Sequence, residues 1–511
     1  MATRIRWLGS ALGACVIIAA VNIVASANAV GATATPIKHV VVIFQENESF
    51  DHYFATYPAA LNPPNEPPFW AQPNTPSVNG IRGGLLTTNT NGFNPFRLDR
   101  SQAATCDQDH DYTPEQQAFD SGLMDKFPEF TGTGSTASSP CPDYGYGQNL
   151  VMGYYDGNTV TALWNYANHF AMNDNFFGTT FGPSTVGAIN LISGQTNGAS
   201  PANQSGDTVQ GTIIGDPQPT GDACTTRDNA KMVTGKNIGD LLNAKRISWG
   251  FFQGGFDLTI TNPDGSTGCN RTHTSTVTGT KKTDYIPHHQ PFQYYASTAN
   301  LNHTRPTSVA AIGGSDAANH QYDIHDFFDA LARGNFPAVS ILKAPGYQDG
   351  HPGYSDPLDE QNFVVSTINT LQKSPEWNST VVFIAWDDSD GWYDHQMGPI
   401  LSQSDTTADA LTGQSSCGQR ATTPAQGRCG YGPRQPLLVI SPYAKANFVD
   451  HSVGDQSSII RFIEDNWSLG RIGNGSFDAI AGSLHNMFNF SNASNNRLCL
   501  DPSTGEPTGC Y

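Results

Sequence analysis

Residues 37–57 read IKHVVVIFQENESFDHYFATY. Residues 40–44 are apolar at every position and mostly β-branched. A strand buried on both faces has this composition, and such strands belong to parallel sheets covered by helices. The polarity then flips at once to Gln45-Glu46-Asn47. Ligands of open α/β sheets bind beyond the carboxyl ends of the strands. Glu46 and Asn47 therefore stand where a ligand would sit, each with an oxygen to offer. The plain alternative is a solvated turn between strand and helix.

The same design recurs later. Residues 380–386, TVVFIAW, are the clearest strand in the chain, and they end in Asp387-Asp388-Ser389-Asp390-Gly391-Trp392-Tyr393-Asp394-His395. Hard divalent cations take carboxylate and carbonyl oxygens. Asp387 and Asp388 joined to Glu46 and Asn47 make a four-residue oxygen site. The acidic run also hints at a calcium loop, without the later acidic ligand such a loop needs. A charged turn is the alternative here too.

Between these stretches the chain carries candidate catalytic groups. Ser184 follows Gly182-Pro183 and precedes an expected helix over 186–192. Free N–H groups and the positive dipole end at a helix start stabilise oxyanions. Ser184 or Thr185 could instead be an ordinary helix cap. His110 lies among Asp107, Asp109 and Asp111, which favour its charged form, just before a helix that Thr113 would cap with Pro114 at its first position. His288 and His289 are adjacent; on a strand they would point opposite ways, leaving one to face a site. His351 sits in the turn-rich Gly350-His351-Pro352-Gly353. Further strands are expected over 247–252, 336–343 and 437–441, and helices over 159–170, 238–244, 362–372 and 455–467. Strands alternating with helices give an α/β layered fold with a central, mainly parallel sheet flanked by helices.

The 511 residues carry a formal charge of −19, and only 14% are charged. So acidic a chain is a poor partner for nucleic acid or anionic lipid, both of which need a basic surface. Arg4 and Arg6, the apolar run 8–24 and the small residues up to Ala27 or Ala29 read as a signal peptide, residues 1–29. A retained anchor is the alternative, and no second stretch is apolar and long enough to span a bilayer. The expectation is a secreted or periplasmic protein without a stable membrane anchor. Residues 30–511 read as one domain, with surface insertions around 58–100 and 195–235. Nine cysteines are present, and eight lie beyond the leader. Local disulfides are expected for Cys106/Cys141, Cys224/Cys269, Cys417/Cys429 and Cys499/Cys510, although sequence does not fix connectivity.

Taken together, these motifs resemble the bacterial phosphoesterase family, which holds secreted phospholipases C and acid phosphatases with an alkaline-phosphatase-like fold. The likeness runs through Gln45-Glu46-Asn47 with Ser49 to Phe54, then His110 with Glu115-Gln116, and Gly182-Pro183-Ser184. It continues through Pro287-His288-His289-Gln290, Asp349-Gly350-His351 and the run from Asp387 to His395. The resemblance implies that Glu46, Asn47, Asp387, Asp388 and Ser184 hold one divalent metal ion, with calcium, magnesium or manganese favoured by the oxygen ligands. It implies that Ser184 is also the nucleophile, that His110, His289 and His351 act on the phosphoryl oxygens or leaving group, and that His288 binds substrate. The phospholipase branch tends to have Thr-Asp-Pro-Asn where this chain has Ser184-Thr185-Val186-Gly187, and Tyr-Asp-Glu where it has Trp386-Asp387-Asp388. Those departures favour an acid phosphatase acting on small phosphate esters through a phosphoserine. The alternatives are a phospholipase C acting on phospholipid head groups, and a secreted binding protein whose metal is structural.

Overall fold

His39–Gln45 forms the first strand, β1, with every residue buried. The other strands of its sheet, in chain order, are β2 (Ala171–Phe177), β3 (Trp249–Gln253), β4 (Gln321–Asp323) and β5 (Val339–Lys343). They are followed by β6 (Thr380–Trp386), β7 (Arg434–Ile440), β8 (Phe448–Asp450) and β9 (Gly454–Asp455). This nine-stranded sheet has the spatial order β4-β3-β5-β1-β6-β7-β2-β8, with β9 also pairing β2. It belongs to a computed structural model that describes residues 1, 31–419, 425–494 and 497–510. The expected leader and its cleavage site lie outside the described residues.

Only β7 runs against its neighbours β6 and β2, and all other pairs are parallel. The α/β reading with a mainly parallel sheet is therefore borne out. One consequence positions the site. β1 and β6 pair in register from His39↔Thr380 to Gln45↔Trp386, so Glu46 and Asp387 leave the sheet side by side. β2 lies across β7, and two antiparallel steps restore its direction. The chain leaving β2 toward Ser184 thus emerges at the same edge.

Five helices matter here: α1 (Thr161–His169), α2 (Ser184–Ser193), α3 (Ile324–Ala332), α4 (Pro357–Lys373) and α5 (Gln456–Trp467). α4 starts earlier than its apolar periodicity suggests. Asp356 caps it by accepting from the N–H groups of Leu358 and Asp359, with Pro357 in the first turn, where proline's missing donor costs nothing. The helix after His110 is Tyr112–Phe119, and its cap position is Asp111. Thr113 is not the cap: its hydroxyl donates to the Ala408 carbonyl at 2.6 Å. Pro287–His289 is a 3₁₀ turn, so the opposed directions expected of a strand do not apply to His288 and His289. All four expected disulfides are present.

Beneath the strand ends, Glu360 of α4 accepts from Tyr53 Oη at 2.9 Å and Trp386 Nε1 at 3.0 Å. Burial pushes its pKa up to about 8. The folded state then holds a proton that the unfolded chain releases at ordinary carboxyl pH. This group's contribution is complete below its unfolded pKa and is lost as pH rises through 8. Glu360→Gln, which mimics the protonated form, should flatten the fall in Tm over that window. The slope removed is up to roughly 1.4 kcal/mol per pH unit, read by thermal unfolding across pH.

Candidate active site

Both strand ends bend by the same local device. Asn47 has φ 62° and Asp390 has φ 52°, with Gly391 next at φ 69°. Asparagine and aspartate tolerate this left-handed region better than most residues. Backbone bonds stitch the two bends together, Asp387 N–H to Gln45 O at 3.2 Å and Glu48 N–H to Asp388 O at 2.9 Å.

The side chains converge. Asn47 Oδ1 lies 2.7 Å from Glu46 Oε2, 2.9 Å from Asp387 Oδ1 and 3.3 Å from Asp388 Oδ2. Ser184 Oγ is 3.0 Å from Glu46 Oε2 and 3.2 Å from Asp388 Oδ2. On its other side the Asn47 amide nitrogen is 3.4 Å from His110 Nε2 and 3.2 Å from His351 Nε2. Each ring gives its Nδ1 proton to a carbonyl, His110 to Gln108 O at 2.9 Å and His351 to Pro352 O at 2.6 Å. In the neutral rings Nε2 is then an acceptor facing the amide N–H groups. The asparagine oxygen is left among three carboxylate oxygens, an arrangement that a cation at their centre reconciles. Turning the amide end for end would satisfy the carboxylates without a cation, but would then require His351 to donate from Nε2. Electrostatics point the same way. Burial, then the charge of Asp387, raises the Glu46 pKa well above the carboxylate range, and burial does the same to Asp388. A bound cation supplies the charge that keeps both ionised. The residues present fit a hard divalent ion.

Ser184 opens α2, whose cap position is Pro183 with no side-chain cap bond. Its hydroxyl is thus not spent as a cap, and that alternative falls away. Thr185 N–H is taken by Asp216 Oδ1 at 2.9 Å. One turn along, a Cβ on Gly187 would lie 2.0 Å from the Asp387 carbonyl oxygen, so α2 rests directly on the backbone of β6's end. Gly187→Ala should force α2 off that backbone and push Ser184 away from the carboxylates, at a cost of about 1–3 kcal/mol read by thermal unfolding. Glu115 braces the same geometry. It accepts from Ser389 Oγ at 2.7 Å and from Gly182 N–H at 3.2 Å, tying the turn before Ser184 to the β6 end.

The remaining basic groups ring this centre. His289 Nδ1 is 3.1 Å from Glu46 Oε1 and 3.9 Å from Asp349 Oδ2. Burial opposes charge on His110, but the carboxylates of Asp388, Asp390 and Asp107 outweigh it and hold its pKa well above the ordinary imidazole value. A cation on the same carboxylates would bring it back down. Burial lowers His351 and His288 to about 4. His288 stands at the rim, with Nε2 3.9 Å from Asp216 Oδ2. All nine residues singled out in the sequence therefore gather at one edge of the sheet, eight around the oxygen cluster and His288 beside it.

Sequence reasoning missed Lys343. It ends β5, next to β1, and its Nζ contacts Glu46 and lies 3.0 Å from Asp387 Oδ2. The signal was present: VSILK is a third buried strand closed by a polar residue. Asp216 was missed as well, because it comes from the 195–235 insertion. A cavity of about 600 Å3 around Arg428 and Phe477 holds none of these groups.

A model of the Phosphoesterase family matches residues 37–470. A non-hemolytic phospholipase C of Pseudomonas aeruginosa is 25% identical, over 92% of this chain and 60% of that protein. The chain thus spans about three-fifths of that relative's length. Phospholipase C A of Mycobacterium tuberculosis is 23% identical, over 90% of this chain and 79% of that protein. Among solved structures, a protein in the alkaline phosphatase superfamily from Vibrio parahaemolyticus aligns over 61% of this chain and 60% of that chain. Its identity is 12% and its TM-score 0.26, a likeness too loose to carry an argument.

Proposed function

The chain belongs to the Phosphoesterase family, and from that premise we propose that it hydrolyses phosphoric esters with Ser184 as nucleophile. The observation that carries this reading is the Ser184 hydroxyl, free of any capping role and bonded to Glu46 and Asp388. A divalent ion held by Glu46, Asn47, Asp387, Asp388 and Ser184 would lower the hydroxyl pKa and offset phosphate charge. The oxygen donors favour calcium, magnesium or manganese. Ser184 Oγ attacks phosphorus in line, its proton passing to a carboxylate oxygen it already bonds. The ester P–O bond opposite breaks, and the alcohol leaves with a proton from an imidazole. His110, His289 and His351 line that space and hold the phosphoryl oxygens. Water then cleaves the phosphoserine and frees the enzyme. Of these rings, His110 is the one whose carboxylate neighbours favour the charged, proton-donating form.

For substrate, we propose small phosphomonoesters. Ser184 and Asp388, where the phospholipase branch tends to differ, support that choice. The names of the relatives favour a second reading, a phospholipase C cleaving phosphatidylcholine-like lipid. We also propose export to an oxidising compartment, which four disulfides fit. Among the described residues no helix is long and apolar enough to cross a membrane. The deciding assay follows phosphate release from a chromogenic phosphomonoester and cleavage of phosphatidylcholine, before and after exhaustive chelation. Metal-dependent release from the monoester supports the phosphatase. Cleavage of the lipid alone supports the phospholipase, and neither activity in folded, metal-loaded protein removes both.

A further inference from the structure

Two cations stand at the rim of the site, and the chemistry at phosphorus uses neither. Lys282 lies on a hairpin in which Lys281–Thr283 pairs with Thr272–Thr274. Its neighbour Lys281 is paired, with Asp264 at 3.0 Å. Lys282 is half-buried, and among the described residues it makes no ion pair. Its Nζ sits 3.4 Å from the centre of the Tyr354 ring. That ring stacks on His351 with centroids 4.3 Å apart, and its hydroxyl donates to Asp349 Oδ2 at 3.1 Å. Lys282 is therefore one aromatic ring away from a catalytic histidine.

Arg227 approaches from the 195–235 insertion. Its guanidinium nitrogen Nη2 is 3.3 Å from His288 Nδ1, and among the described residues it too makes no ion pair. The two cations repel each other, and Lys282 also acts on His288, His289 and His351. The rim therefore places two cations beside the histidines, with Asp349, Glu46 and Asp107 acting on Lys282 as well. Nearby carboxylates are committed elsewhere: Asp216 to Thr185 N–H, and Asp349 to the His351 N–H at 3.2 Å and to Tyr354. Burial penalises the charge on Lys282 and lowers its pKa. Asp349, Glu46 and Asp107 favour that charge without pairing with it, and an anion brought by a ligand would give it a direct partner.

In-line attack places the leaving group on the side of phosphorus away from Ser184. We propose that Lys282, aided by Arg227, binds a second negative charge on the leaving group, so that the preferred substrates are phosphate esters of anionic alcohols. Such an alcohol carries a carboxylate or a further phosphate near the ester. The proposal rests on the phosphoester reading, with Lys282 as a specificity residue rather than a catalytic one. A cationic, choline-like leaving group is the wrong sign for this rim.

The test uses a non-hydrolysable pair, carboxyethylphosphonate and propylphosphonate, which share the phosphonate and differ by one carboxylate. Binding to the metal-loaded enzyme is measured by calorimetry. The expected result is a preference of about tenfold for the carboxylate ligand. Lys282→Met keeps the apolar stem over Tyr354 and should reduce that preference to within about twofold, weakening the carboxylate ligand far more than propylphosphonate. Arg227→Gln should reduce it by a smaller factor. Equal binding of the two ligands to the unmodified enzyme overturns the proposal. So does a loss of both affinities by the same factor in Lys282→Met, which would mark a packing role through Tyr354. Turnover of phosphoglycolate and hydroxyethyl phosphate is followed separately. Binding preference without turnover of either ester removes the proposed reaction and leaves the rim site standing, whereas turnover without preference does the reverse.

Discussion

Ser184→Ala should lower phosphate release by on the order of a thousandfold or more, with little change in thermal stability. The reasoning is geometric. Ser184 Oγ has 3.0 Å and 3.2 Å contacts to carboxylate oxygens of Glu46 and Asp388, and it caps no helix. Removing it deletes the atom that would attack phosphorus and leaves α2 intact, since alanine is the best helix former. The readout is kcat/KM on a phosphomonoester beside a melting curve. A loss of activity paralleled by a fall in Tm would mean that the hydroxyl holds the fold together. Unchanged activity would mean that water attacks directly.

Lys343→Met should be the most damaging single change to the charge balance of the site. Lys343 is buried between Glu46 and Asp387, and those charges push its own pKa up against the effect of burial. Removing one member of a buried ion pair leaves the rest uncompensated, at a cost of about 3–5 kcal/mol. The loss should be larger in chelated protein than in metal-loaded protein, because a divalent ion supplies positive charge to the same carboxylates. Thermal unfolding of both forms checks this. An equal loss with and without metal would show that Lys343 and the metal do not share ligands.

How much of this was legible depended on locality. β1 and β6 were readable because a strand buried on both faces is an unbroken apolar run, and each run ends abruptly in oxygen ligands. Their register was not readable. Nothing in either run says that Gln45 faces Trp386, yet that pairing brings Glu46 beside Asp387. Ser184 was readable as a helix start, but whether its hydroxyl caps the helix or faces a site depends on Glu46 and Asp388, 138 and 204 residues away. The strand geometry weighed for His288 and His289 does not apply; the flanking Pro287 and Pro291 favour turns, and the pair sits in one. In the sequence Lys343 reads only as the end of a strand over 336–343. Asp216, Arg227 and Lys282 lie in turn-rich segments without periodicity, so only the folded chain brings them to the rim.

The central claim is that the reaction passes through Ser184 itself. The most direct test quenches the metal-loaded enzyme in acid during turnover of a phosphomonoester and maps the phosphoryl group by peptide mass spectrometry. The account predicts a phosphoryl group on Ser184, absent from the chelated enzyme and from Ser184→Ala. A phosphoryl group on a different residue, or active enzyme that never carries one, would contradict it.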